Sequence, residues 1–139
     1  MIFIIDTNIL FSALVKDSET RKILINPPFL LFAPENIITE IIKYEDLIIE
    51  KSGFTKTDFE LLFEFLIENI NIVEKEEYIS NLENGNRIMG DIHKGDVPFI
   101  ALALSIINDG IWSEDKHFEK QDKVKIWKTK DIINFINKS

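Results

Sequence analysis

Short apolar runs alternate with longer amphipathic segments along this chain. The runs lie at residues 2–5, 29–33, 70–73, 111–112 and 124–127. They are too short for helices to be the natural interpretation, and their β-branched content predicts strands. The first run is apolar at every position, which is typical of a strand buried on both faces at the centre of a parallel sheet.

The segments between these runs predict helices, because apolar residues recur there every three or four positions. Prolines at 27 and 28 separate a second helix from the next strand. The polar stretch at residues 74–87 predicts only an irregular helix. Helices are predicted at residues 8–15, 18–25, from Pro34 onward, from Thr55 through the apolar stripe at 59–67, at 97–107, and at the end of the chain after a Thr129 cap.

This alternation of strands and helices predicts an α/β fold, with a mostly parallel sheet that helices cover on both faces. A length of 139 residues is close to that of one domain, and no linker is evident, so we expect residues 1–139 to form a single domain. Hydrophobic residues make up 45% and charged residues 29% of the chain, which is ordinary for a soluble globular protein.

The formal net charge of -8 argues against nucleic-acid binding by bulk electrostatics, unless bound cations neutralise some of the acids. No cysteine is present, so disulfides and thiolate metal sites are excluded. The first apolar run reaches Asp6 too soon for a signal peptide, and no segment has the roughly 18 apolar residues needed to span a bilayer. We therefore expect a cytoplasmic protein with no membrane association.

Four acidic residues stand where the predicted strands end or the predicted helices begin. Asp6 and Asp115 follow strands directly, whereas Glu40 and Asp96 lie near the starts of helices. Right-handed crossovers bring the carboxyl ends of parallel strands to one edge of a sheet, where ligands gather. The pattern therefore predicts that the four carboxylates meet in one pocket.

Each acid also has a purely structural interpretation, and the pattern leaves both open. Asp6, or Asn8 beside it, could cap the following helix, and Asp96 could cap another. Glu40 lies about 60° around its helix from Ile37, at the edge of an apolar stripe. Asp115 could form a turn.

If the carboxylates do meet, their like charges raise one another's pKa, and a bound cation is the usual remedy. Oxygen ligands without cysteine or a well-placed histidine favour Mg²⁺ or Mn²⁺ over zinc. Such an ion can lower the pKa of a bound water and neutralise charge on a leaving oxygen. Phosphodiester hydrolysis is therefore the leading predicted reaction.

Four blocks of the chain resemble, in order, the signature blocks of the PIN-domain family. They are residues 2–10 (Ile-Phe-Ile-Ile-Asp-Thr-Asn-Ile-Leu), Thr39-Glu40, residues 96–104 and residues 111–118. The resemblance covers essentially the whole chain. It implies a three-layer α/β/α fold with a Rossmann-like sheet and a divalent-metal-dependent endoribonuclease. That class includes VapC-type toxins of toxin–antitoxin modules, so RNA would be the substrate and an antitoxin a candidate partner.

The resemblance also implies roles for individual residues. The catalytic, metal-binding acids would be Asp6, Glu40, Asp96 and Asp115, and the residues orienting a ligand or a water would be Thr7, Asn8 and Ser113. Related sequences often have another acid just before the position of Asp96. Here His93-Lys94-Gly95 occupies that place, and Asp91 is retained as an auxiliary ligand.

The two histidines, His93 and His117, are expected on the surface or in loops rather than as catalytic bases, although His93 could contact a substrate phosphate. A local patch of Lys43, Lys94 and Lys116 would have to bind the substrate. A homodimer or another protein partner could use apolar surface at residues 59–67, but core packing explains that stripe equally well.

Two other functions remain open at this point. One is a non-catalytic PIN-fold module that binds a protein or RNA partner. The other is a phosphatase with Asp6 as its nucleophile, similar to haloacid-dehalogenase-like enzymes. Those enzymes normally carry a second Asp two residues later, and here that residue is Asn8.

Overall fold

A five-stranded parallel sheet forms the centre of the structure, a computed structural model that describes residues 1–138. The strand order is β3-β2-β1-β4-β5, and every neighbouring pair is parallel. The strands are β1 (Ile2–Ile5), β2 (Leu30–Pro34), β3 (Asn71–Val73), β4 (Ile111–Trp112) and β5 (Ile126–Trp127).

Helices connect the strands, and the predicted three-layer α/β/α architecture is confirmed. Short 3-10 turns at Lys75–Glu77, Ile79–Asn81, Lys94–Asp96 and Lys116–Lys120 complete the connections. The helices are α1 (Thr7–Val15), α2 (Glu19–Ile25), α3 (Asn36–Lys43), α4 (Glu45–Ser52), α5 (Lys56–Glu68), α6 (Leu82–Met89), α7 (Val97–Ser105) and α8 (Thr129–Lys138).

Strand β1 lies in the middle of the sheet, between β2 and β4. Three of its side chains, Phe3, Ile4 and Ile5, are fully buried. Neighbouring side chains of a strand point to opposite faces of a sheet, so both faces of β1 are covered. This confirms the interpretation of the first apolar run, and it places Asp6 at the carboxyl edge of the central strand.

Two predicted helix starts were wrong. Pro34 ends β2, and α3 begins only at Asn36. Thr129 is the first residue of α8 rather than its cap. The Thr129 hydroxyl instead accepts a hydrogen bond of 2.9 Å from the indole N–H of the buried Trp112. A buried indole donor needs an acceptor, and that demand takes the threonine oxygen that a cap would use.

The polar stretch at residues 74–87, for which the sequence predicts only an irregular helix, folds into two 3-10 turns and then α6. This helix packs on α7. Gly85 is buried at this contact, and a Cβ added to it would lie 3.0 Å from the backbone oxygen of Val97. Glycine therefore permits the close approach of the two helices. The packing positions the loop at residues 90–96, which leads into the site.

The apolar stripe of α5 packs on the core: Phe59 and Leu66 are buried, and Leu62, Phe63 and Ile67 are partly buried against them. Leu61 and Phe65 lie outside the stripe and are 62% and 50% exposed. Core packing thus accounts for the stripe, and use of this helix by a partner stays a prediction. Within residues 1–138, no helix is both long enough and apolar enough to cross a bilayer.

Candidate metal centre

A cavity of about 290 Å³ opens at the carboxyl edge of the sheet, beyond β1 and β4. All four predicted acids line it, and so do the two polar residues that follow Asp6. Three apolar or aromatic side chains form another part of its wall. The lining residues are Asp6, Thr7, Asn8, Phe11, Glu40, Tyr44, Leu47, His93, Gly95, Asp96 and Asp115.

Asp6 is only 3% exposed, and both of its carboxylate oxygens accept hydrogen bonds. Oδ1 accepts from the backbone N–H of Ile9 at 3.0 Å, which caps α1, and Oδ2 accepts from the hydroxyl of Ser113. The helix-cap interpretation of Asp6 is therefore right, and the same side chain also lines the cavity. Capping and a place in the site are compatible, since each oxygen has two lone pairs.

Burial raises the pKa of Asp6 to about 7. The hydrogen bonds from Ser113 and Ile9 lower this pKa, whereas the negative charges of Asp96 and Asp115 raise it further. Removal from water disfavours a carboxylate, and two hydrogen bonds compensate only part of that cost. Near neutral pH, the ionised form of Asp6 therefore needs additional positive charge.

Asp115 reaches the cavity through a turn that Ser113 helps to form. The Ser113 oxygen accepts a 2.9 Å hydrogen bond from the Asp115 N–H, and Asp115 Oδ1 accepts one of 2.9 Å from the N–H of His117. Asn8 Nδ2 donates to Asp115 Oδ2 at 3.3 Å. The turn-forming interpretation of Asp115 thus holds as well, and Asn8 and Ser113 both orient acids of the site.

Glu40 enters the cavity from α3, at the edge of a stripe whose buried residues are Ile37 and Ile41. Its two oxygens accept hydrogen bonds from Thr7 Oγ1 at 2.6 Å and from Asn36 Nδ2 at 2.9 Å. The carboxylate is therefore held from two directions. Sequence reasoning missed Asn36, although its position one helical turn before Glu40 was a usable signal.

Asp96 differs from the other acids. It occupies the N-cap position of α7, as the cap interpretation predicts, but its side chain makes no capping hydrogen bond. Pro98 lies in the first turn of that helix and has no N–H to offer. Asp96 is 8% exposed, and no group in the described part of the chain forms a hydrogen bond with its buried Oδ2. Burial raises the pKa of Asp96; the nearby charges of Asp115 and Glu40 act in the same direction, and His93 and His117 oppose them.

His93 lies in a loop and His117 in the 3-10 turn at Lys116–Lys120, and both border the site. His93 Nδ1 lies 3.3 Å and His117 Nδ1 3.6 Å from Asp96 Oδ2. Their rings stack with centroids 4.6 Å apart. Sequence reasoning did not assign them to the acid cluster. The available signal was proximity, since His93 precedes Asp96 by three residues and His117 follows Asp115 by two.

The apolar wall of the cavity was also missed. Phe11 and Tyr44 pack edge to face, with ring centroids 6.1 Å apart, and Leu47 lies beside them in the lining. Periodicity alone indicated that Phe11 and Leu47 belong to helices. It could not indicate that they face the carboxylates, because that depends on how α1 and α4 pack.

Some predicted residues lie elsewhere. Asp91 is exposed and does not line the cavity. The three lysines proposed to bind substrate, Lys43, Lys94 and Lys116, are exposed and lie outside the lining as well. Any contact they make with a long substrate would be outside the cavity.

The side chains at the cavity fit a divalent cation. Four carboxylates supply the oxygen ligands that Mg²⁺ and Mn²⁺ prefer, and the buried Asp96 Oδ2 accepts no hydrogen bond from the described residues. One feature departs from an all-carboxylate site. Within residues 1–138, His93, Asp96 and His117 form a group of three candidate metal ligands. Their ligand atoms all lie within 4.8 Å of one another.

Comparison with known proteins agrees with this geometry. A family model described as PIN domain matches residues 4–135, which is nearly the whole chain and contains all four acids. A search of curated proteins finds no match. PIN domains are generally nucleases that use divalent metals, a chemistry for which a carboxylate-lined cavity is suited. The chain belongs to the PIN-domain family.

Proposed function

We propose that this protein is a divalent-metal-dependent endoribonuclease that hydrolyses RNA phosphodiester bonds. The observation that carries the proposal is the convergence of four acids on one cavity, with a buried carboxylate oxygen at Asp96 that accepts no hydrogen bond from the described residues. A purely structural role gives no reason to bury that oxygen without a hydrogen bond, because an unsatisfied buried acceptor costs about 1–3 kcal/mol.

In this proposal, Asp6, Asp96 and Asp115 hold Mg²⁺ or Mn²⁺, and Glu40 binds or orients the attacking water. A bound ion of this kind would lower the pKa of the water and neutralise charge on the leaving oxygen. Thr7 and Asn36 hold the Glu40 carboxylate by hydrogen bonds, so that it presents a fixed acceptor to the water. Asn8 and Ser113 orient Asp115 and Asp6. Asp91 lies outside the cavity lining, so the proposal does not use it as a ligand.

A phosphatase with Asp6 as a covalent nucleophile is less well supported. Both Asp6 oxygens already accept hydrogen bonds, from Ile9 and from Ser113. The position two residues later is Asn8, and its amide donates to Asp115 instead of acting as an acid. The non-catalytic binding module remains as the alternative that the metal and cleavage experiments below decide.

Further parts of the proposal concern context. We propose that residues 1–139 form one domain and that the protein is cytoplasmic. The toxin of a toxin–antitoxin module remains the proposed biological role. An antitoxin or a second copy of the chain could use the exposed Leu61 and Phe65 of α5.

The test is cleavage of a long single-stranded RNA with Mg²⁺ or Mn²⁺, comparing the natural protein with Asp6→Asn. Asparagine keeps an oxygen for the N–H of Ile9 but removes the charge, so we expect the rate to fall at least about 100-fold. Asp122→Asn, at an exposed acid outside the cavity, is the matched control and should cleave normally. Undiminished cleavage by Asp6→Asn, in a preparation shown to be free of contaminating nuclease, would overturn the proposal.

A further inference from the structure

Two buried polar atoms at the mouth of the cavity lack partners, and they face each other. Asp96 Oδ2 and His117 Nδ1 are both buried and form no hydrogen bond with any described residue. They lie 3.6 Å apart, and His93 Nδ1 lies 3.3 Å from the same Asp96 oxygen. One candidate ligand atom from each of His93, Asp96 and His117 thus lies within 4.8 Å of the other two.

Hydrogen bonding among the described residues does not account for this arrangement. Asp96 is 8% exposed, yet neither imidazole gives its Oδ2 a hydrogen bond with acceptable geometry. The His117 nitrogen also lies 3.2 Å from Asp115 Oδ1, again without a hydrogen bond. Buried polar atoms are nearly always paired, so these exceptions call for a missing partner. An acceptor surrounded by ring nitrogens would be satisfied by a cation between them.

The spacing of the three atoms matches that of ligands around one small cation. Bonds of about 2.0–2.1 Å in tetrahedral geometry place neighbouring ligand atoms about 3.3–3.4 Å apart. The two measured distances from Asp96 Oδ2, 3.3 and 3.6 Å, lie at and just above that range. The two rings stack with 18° between their planes, so both would have to turn to bring their nitrogens onto a common centre.

Gly95 allows one of these rings to occupy its position. A Cβ added to Gly95 would lie 2.9 Å from Cε1 and 3.2 Å from Nδ1 of His93. The first distance is shorter than any ordinary carbon contact, so the ring could lie there only if the residue between it and Asp96 has no side chain. The loop is therefore shaped to place the His93 ring over Asp96.

We propose that His93, Asp96 and His117 form a second cation site, which takes a divalent transition metal of the zinc class and shares Asp96 with the carboxylate site. Two imidazoles with one carboxylate suit Zn²⁺, Co²⁺ or Ni²⁺, whereas oxygen-only sites suit Mg²⁺ and Mn²⁺. An ion there would connect the turn at Lys94–Asp96 to the turn at Lys116–Lys120 across the mouth of the cavity. The site goes beyond the proposed activity, since binding there does not require RNA cleavage.

The test is titration of the metal-free full chain with Co²⁺, followed by its visible d–d absorption, in a millimolar excess of Mg²⁺. We expect one Co²⁺ per chain, displaced by Zn²⁺, and an affinity at least about tenfold lower in His93→Gln and in His117→Gln. Lys120→Gln, at an exposed residue of the turn at Lys116–Lys120, is the matched control and should bind Co²⁺ normally. Absence of Co²⁺ binding, or binding that neither histidine substitution weakens, would overturn the site.

X-ray absorption at the zinc edge of the natural protein keeps the proposal testable even if a variant fails to fold. The chain has no cysteine, so the spectrum should show nitrogen and oxygen ligands with the scattering pattern of two imidazoles. A spectrum without imidazole scattering would refute the site. The ribonuclease proposal fails separately, if Asp6→Asn cleaves RNA normally, whatever the cobalt result.

Discussion

Two buried carboxylates, on the Asp6 side and the Asp96 side of the cavity, differ in the hydrogen bonds that the protein gives them. On one side, Asp6 is 3% exposed and receives hydrogen bonds from the Ile9 N–H and the Ser113 hydroxyl. On the other, Asp96 is 8% exposed, and its Oδ2 has no hydrogen-bond partner in residues 1–138. The protein alone completes the surroundings of Asp6, whereas those of Asp96 are incomplete.

This difference indicates which acid depends most on a ligand. The position of Asp6 is set by the cap of α1 and by β4, so it should keep its place with or without a metal. Asp96 should gain far more from a cation, because a new bond would satisfy an acceptor that is otherwise lost. A fixed acid beside an unsatisfied one is a suitable arrangement for a site that binds an ion from solution.

The largest effect should come from the charge of Asp6 in the metal-free protein. Its pKa is about 7 in the folded state against 3.8 for the unfolded chain. Between these values the folded state retains a proton that the unfolded state has lost, so the contribution of Asp6 to stability falls as pH rises. At one pKa unit per 1.36 kcal/mol, the fall from pH 4 to pH 8 reaches at most about 4 kcal/mol.

Asp6→Asn removes this titration, so in EDTA its free energy of unfolding, relative to the natural protein, should rise from pH 4 to pH 8. Urea denaturation at several pH values measures this difference, and Asp122→Asn serves as the exposed control. A difference that stays constant with pH would show that Asp6 titrates normally, and the contrast between the two sides would then lose its electrostatic basis.

Substitutions on the Asp6 side and the Asp96 side should have smaller effects on stability, and the two effects should differ. Ser113→Ala leaves Asp6 Oδ2 without a donor and the Asp115 N–H without an acceptor, so we expect destabilisation by about 1–3 kcal/mol. Asp96→Asn has no hydrogen bond at Oδ2 to lose and should leave the metal-free protein equally stable or more stable. Chemical denaturation in EDTA measures both, with Ser12→Ala on the exposed side of α1 as control. If Asp96→Asn proves the more destabilising, the assignment of the unsatisfied side is wrong.

Most of the fold could be predicted because its signals are local. The run at residues 2–5 needed only its own composition to indicate a strand buried on both faces, and Phe3, Ile4 and Ile5 are indeed buried. Pro34 and Thr129 were misassigned because their roles depend on distant partners. Pro34 pairs with Val73 in the sheet, and Thr129 accepts the hydrogen bond of Trp112.

The site was predictable to the extent that topology positions it. Strand ends and helix starts were enough to bring Asp6, Glu40, Asp96 and Asp115 to one cavity. The choice between a structural role and a place in the site did not separate the acids, since Asp6 both caps a helix and lines the cavity. The histidines could not be placed in the same way. Their position over Asp96 depends on the course of two loops and on the missing side chain of Gly95, which periodicity does not encode.

The most direct test of the central claim, that these carboxylates hold a divalent cation, is anomalous X-ray diffraction from crystals soaked in millimolar Mn²⁺. The account predicts a strong anomalous peak inside the cavity, with carboxylate oxygens of Asp96 and of Asp6 or Asp115 at about 2.1 Å from the ion. Well-diffracting crystals with no peak in the cavity, or with peaks only at surface acids outside it, would contradict the account.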